Sequence, residues 1–212
     1  MQDVLDLLTE AIGDVGFWRW WAADLPRVVQ LEFGAVQFAT ATPEGPRPVG
    51  PVALRFREPR SAVFLTRDAA AVPDHWPDLL HEDRCEPFAL SYEQLVFTDG
   101  PSAANVFAAE AVAAGTLIGA RPTLAEWREA PARMAFWAGP VGMAILAERM
   151  EVIVDSGPID SPSAMAAMHD AWWEYWQEYW ARRGSPNALP WDGACEVTIP
   201  LAEAADTPPA AP

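Results

Sequence analysis

The order of local signals along the chain predicts an α+β fold. It takes the form of a single domain over residues 1–201, with a largely antiparallel sheet packed against a long amphipathic aromatic C-terminal helix and an N-terminal helix. Three observations carry this. Strand patterns arrive in runs that helices do not regularly separate, which disfavours a doubly wound parallel sheet. Residues 162–183 divide cleanly into an aromatic and a charged side on a helical wheel. Residues 3–15 do the same on a smaller scale.

In residues 3–15, Val4, Leu8, Ala11, Ile12 and Val15 fall on one side, with Asp3, Asp6, Glu10 and Asp14 opposite; Gly13 and Gly16 weaken the end. A second aromatic piece, Phe17-Trp18-Arg19-Trp20-Trp21, runs on to a stop near Pro26. As a helix it cannot place all three tryptophans on one side, so an exposed recognition surface including Trp20 and Trp21 is expected.

Val28 to Phe38 is rich in β-formers, with Gly34 a candidate bulge. Proline and glycine crowd residues 43–51 into a loop. Val52, Leu54 and Phe56 alternate with Ala53, Arg55 and Arg57, and Pro59 then predicts a short turn into a strand at Ala62–Thr66, the two forming a hairpin. Residues 68–87 read as a loop with a short helix, Phe88–Thr98 as strand and 101–115 as an Ala-rich helix.

Thr123 followed by Glu126 is a capping box that opens a brief helix through Ala130. Strands are expected at 133–138, 143–147 and 150–155. In the long helix, Pro162 suits the first turn and Gly184 the stop. Met165, Met168, Trp172, Trp173, Tyr175, Trp176, Tyr179 and Trp180 share an arc of roughly 160°, expected to pack inward on the sheet. Glu178 is placed to pair with Arg182. Residues 194–200 suggest a last strand, and the Ala/Pro tail, 202–212, is expected to be disordered.

The formal charge is −16 and all 14 basic residues are arginine. Such a chain is a poor match for a phosphate backbone or an anionic membrane, so neither nucleic acid nor membrane is expected as a partner. Without lysine there is no Schiff-base or P-loop lysine chemistry, and the composition points to a GC-rich bacterial source. The acidic start lacks a signal-peptide core, and Met134 to Ala147 falls short of the ~20 residues that span a bilayer. Cys85 and Cys195 form no metal or redox spacing, so a cytoplasmic protein with free thiols is expected.

Candidate sites follow from residue type. Arg47, Arg55, Arg57, Arg60 and Arg67 lie in a stretch whose only acid is Glu58. Guanidinium forks suit a carboxylate or phosphate, and Arg55 and Arg57 share a strand face; equally, they could solvate an edge hairpin. On a helix, Asp78, His81 and Cys85 would share a face and could hold zinc, but Pro77 argues against a continuous helix there. His169, inside the aromatic arc, could be a general base or a core histidine satisfied by one hydrogen bond. Tryptophans beside carboxylates can also mark a carbohydrate site.

Val152-Ile153-Val154-Asp155-Ser156-Gly157 resembles the hydrophobic-Asp-Ser/Thr-Gly element of aspartic proteases. That chemistry needs two such aspartates, and one copy is present. Gly139-Pro140-Val141-Gly142 reads as a tight turn without a phosphate-binding helix start, and there is no Gly-x-Ser-x-Gly nucleophile elbow.

The favoured expectation is a non-catalytic binding protein of inhibitor, immunity or adaptor type, acting through protein–protein contacts without a cofactor. The alternatives are a hydrolase using His169 or the His75/His81 region with carboxylates, and a small-anion binder using the Arg55/Arg57 hairpin.

Overall fold

A computed structural model of the chain describes residues 2–12, 17–24, 27–34, 36–66, 86–89, 96–100, 113–138, 141–154 and 157–189. The elements are α1 (Gln2–Ile12), β1 (Phe17–Asp24), β2 (Arg27–Phe33), β3 (Ala39–Thr42), β4 (Gly45–Pro48), β5 (Val52–Thr66), β6 (Glu86–Ala89), β7 (Val96–Thr98), β8 (Ala113–Ile118), α2 (Leu124–Glu129), β9 (Ala132–Ala138), β10 (Val141–Val154), β11 (Gly157–Pro158) and α3 (Pro162–Arg182). The strand pairs they form are antiparallel, and the class is α+β as expected.

Two long strands, β5 and β10, form the spine of the main sheet and pair from Val141↔Thr66 to Ile153↔Ala53. β2 flanks the first half of β5, and β8 flanks the second. β9 lies along Val141–Ala147 of β10, and β11 folds back on its far end. The strand order is β6-β1-β2-β5-β10-β9-β7.

The hairpin expected around Pro59 is corrected: Val52–Thr66 is one strand. Pro59 pairs with Ala147 where the register shifts, and Glu58 before it has φ 48. A bulge absorbs the extra residue there, and a proline, which cannot donate to a ladder, is tolerated at such a position. The strands expected at 143–147 and 150–155 are likewise one strand, β10. The aromatic piece at Phe17–Trp21 belongs to β1 rather than to a helix, because β2 and β6 pair with its two edges. Within the expected loop 43–51, Gly45–Pro48 pairs with Ala39–Thr42 as a separate two-stranded sheet.

The main core fills one face of the large sheet. Leu5, Leu8, Ala11 and Ile12 of α1 meet Leu31 and Phe33 of β2, Leu54, Phe56 and Phe64 of β5, Ile145 of β10 and Met134 of β9. Phe33, Phe97 and Phe136 meet ring to ring, with centroids 5.5 Å apart for the first pair and 5.4 Å for Phe97–Phe136. The Thr9 hydroxyl donates to Leu5 O and accepts from the Phe97 N–H, tying α1 to β7.

The opposite face differs between its two ends. Val63, Leu65, Ala144 and Leu146 pack under Trp127 of α2, whose indole N–H donates to Asp99 O at 3.0 Å. The capping box forms as expected: Glu126 N–H donates to Thr123 Oγ1 and Thr123 N–H to Glu126 Oε2. At the other end, the same face carries polar side chains.

The long helix starts at a Ser161 cap with Pro162 in its first turn, and Gly184 follows its end with φ 79. Glu178 and Arg182 form the expected ion pair. Met165 reaches the main core and Met168 packs on it, whereas Ala171 and Trp172 pack on Ala39 of the small sheet. The expectation that the whole aromatic arc turns inward is corrected, because Trp173 is 43% and Trp180 47% exposed. None of the helices described is long and apolar enough to cross a membrane.

Candidate functional site

Strand alternation puts Gln30 and Glu32 of β2, Arg55 and Arg57 of β5, and Glu151 of β10 on the face opposite the main core. Register sets Gln30, Arg55 and Glu151 side by side across three strands, with Glu32 opposite Ala53. Arg55 Nε donates to Gln30 Oε1 at 2.8 Å, and Gln30 Nε2 donates to Glu32 Oε1 at 2.7 Å. Gln30, Glu32 and Arg55 are buried. Burial, and then the charge of Arg57, holds the Arg55 guanidinium below its usual range; Glu151 and Glu32 oppose that shift.

Arg57 faces Arg149 across the ladder, a like-charge pairing that costs stability unless an anion intervenes. Glu151 supplies it, accepting from Arg57 Nε at 2.8 Å and pairing with Arg149 Nε at 3.1 Å. Arg60 is exposed and pairs with Glu148. Arg47 is exposed on β4, in the other sheet. The sequence correctly puts Arg55 and Arg57 on one face, but that face lies mid-sheet rather than on an edge hairpin, and both guanidinium groups already have partners. Arg67 lies outside the described residues.

Sequence reasoning missed Gln30, Glu32 and Glu151 as members of this row. The signal was present: Gln30 and Glu32 alternate with Leu31 and Phe33 in an otherwise apolar strand.

The second region is the outward flank of α3. His169, Trp173, Trp176 and Trp180 recur at four-, three- and four-residue steps, which places them along one side of a helix. Trp172 and Trp176 stack at 5.2 Å and 14°, and Trp176 stacks on Tyr179 at 6.0 Å and 16°. Trp173 stands perpendicular to Trp172, and Trp180 perpendicular to Trp176. Exposed Asp170, Glu174 and Gln177 border this stripe. Past the end of the helix, the Arg183 guanidinium sits 4.4 Å from the centre of the Trp180 ring.

His169 is partly exposed on this flank, with Nε2 accepting the Trp173 indole N–H at 3.2 Å. Trp20 is 1% exposed and belongs to the main core, so the expectation of an exposed ring there is corrected: its strand turns that side chain inward. Among the described residues, its buried indole N–H finds no hydrogen-bond partner. The side chain of Trp21 lies outside the described residues, as do His75, Asp78, His81, Cys85 and Asp155. Among the described residues, no three His, Cys, Asp or Glu side chains gather as metal ligands.

A cleft of about 410 Å³ opens between α1, β10 and the start of α3, lined mainly by Val4, Met150, Val152, Ile159 and Met165, with Asp160 at its side. Glu151 and Ser161 also border it. No family model, curated protein or solved structure matches the chain.

Proposed function

We propose that the chain is a non-catalytic binding protein that engages a protein partner through the outward flank of α3, as an inhibitor, immunity-type or adaptor protein does. The observation that supports this reading is the pair Trp173 and Trp180, the exposed large hydrophobic side chains among the described residues. They are seven residues apart and so share one side of a rigid helix. Tryptophan is the residue type most enriched among side chains that dominate interface energies, and a ring held by its neighbours loses little further freedom on binding. Trp173 is held by His169 and Trp172, and Trp180 by Trp176 and Tyr179.

The test is purification from source cells of the wild type and of a Trp173→Ala/Trp180→Ala variant. A stoichiometric protein partner kept by the wild type and lost by the variant, at equal melting temperature, is the expected result. A partner that stays with the variant refutes the assignment to α3.

A further inference from the structure

We propose that this flank recognises guanidinium groups, so that the partner presents arginine side chains to Trp173 and Trp180; this inference rests on the docking reading above. Three observations point the same way. First, the chain already places a guanidinium on the site: Arg183 lies over the Trp180 ring at 4.4 Å, within the range of an attractive cation–π contact. Second, Asp170 lies one helical turn from both Trp173 and Glu174, and both acids are exposed, so carboxylates stand beside the ring that is 43% exposed. By that helical spacing a guanidinium laid on the ring would meet a carboxylate on the same side of the helix, which a flat, five-donor cation uses better than a compact ammonium. Third, the chain carries a formal charge of −16, which draws a cationic partner in from a distance and repels a second copy of itself.

The seven-residue spacing of Trp173 and Trp180 separates the two rings by about 10 Å along the helix axis at the usual rise per residue. Two arginines at that separation can engage both together. Arg183 then acts as an intramolecular stand-in at one of the two positions, to be displaced when the partner's arginine arrives.

The experiment titrates the full chain with an oligo-arginine peptide and an oligo-lysine peptide of equal length, at physiological salt and above, following tryptophan fluorescence and heat. The bulk attraction between opposite charges acts on both peptides and is screened by salt. The expected result is an arginine preference of about five- to tenfold that survives added salt. Arg183→Gln should strengthen oligo-arginine binding, and Trp173→Ala/Trp180→Ala should abolish the preference while leaving the melting temperature in place.

Equal affinity for the two peptides overturns the inference, as does an arginine preference that persists in the double tryptophan variant. Neither result bears on whether a partner docks on α3, because retention of the cellular partner by the same variant decides that separately.

Discussion

Replacing Arg55 by methionine tests whether the polar row is a coupled unit. Methionine keeps most of the length of the side chain and removes the guanidinium. The change leaves Gln30 Oε1 without the Arg55 Nε–H that donates to it at 2.8 Å, and leaves the buried Glu32 with one fewer cation near it. Losing a hydrogen bond from a charged donor costs about 1.5–3 kcal/mol. Removing one of the cations that act on the buried Glu32 adds to that loss. Arg57→Met is the internal comparison. Its side chain and that of Glu151 are each 19% exposed, and Arg149 also pairs with Glu151, so about 1 kcal/mol is expected.

Urea titrations of both variants and of Arg55→Met/Glu32→Gln supply the numbers, read as midpoint shifts at constant slope. The double variant should recover part of the loss, since the buried carboxylate that Arg55 acts on is gone. If Arg55→Met costs no more than Arg57→Met, or if the double variant is as unstable as the sum of its parts, the row is not a coupled unit.

Other expectations follow from particular contacts. Gly119 has φ 65, and a Cβ there would lie 2.1 Å from the Arg60 carbonyl oxygen; Gly119→Ala should therefore cost about 2–5 kcal/mol in chemical denaturation. Trp127→Ala empties the space under α2 and removes the bond to Asp99 O, for a loss of about 3–5 kcal/mol, whereas Trp180→Ala should change stability by less than about 0.5 kcal/mol in the same assay. Hydrogen bonds from the Thr123 backbone and side chain hold Glu126 below its ordinary 4.5, so its contribution is present above that value and is lost as pH falls through the lower folded value. The stability difference between wild type and Glu126→Gln should accordingly shrink between neutral pH and about pH 3, and a difference independent of pH would contradict the cap assignment.

The parts of this fold that were legible in the sequence are those set by neighbours within a few residues. Ser161, Pro162, the aromatic arc and Gly184 delimit α3 without reference to the rest of the chain, and Thr123 with Glu126 opens α2 in the same way. What escaped was decided across the sheet. Pro59 is a turn signal in isolation, and only its pairing with Ala147 through a bulge makes it mid-strand. The Phe17–Trp21 run lacks clear alternation, and its strand character comes from β2 and β6. The small sheet of Ala39–Thr42 and Gly45–Pro48 is poor in β-formers and takes support from Trp172, which packs on Ala39. For the candidate sites, the shared face of Arg55 and Arg57 was visible in their spacing, but the three strands that bury Arg55 beside Gln30 and Glu151 were not. Likewise, the wheel showed which residues of α3 are aromatic; it could not show how far the neighbouring elements reach around the helix.

That reach is what separates folding from recognition on α3. Met165 and Met168 anchor its first turns on the main core, and Trp172 and Tyr175 are buried farther along. Covering the helix up to that line leaves Trp173 and Trp180 outside, each with a neighbouring ring perpendicular to it rather than a core around it. A helix of 21 residues anchored at those points does not need two more tryptophans to stay folded. If both can be removed without lowering the melting temperature, their apolar surface is available for a partner. If their removal melts the protein, the rings serve packing, and the docking reading loses its foundation.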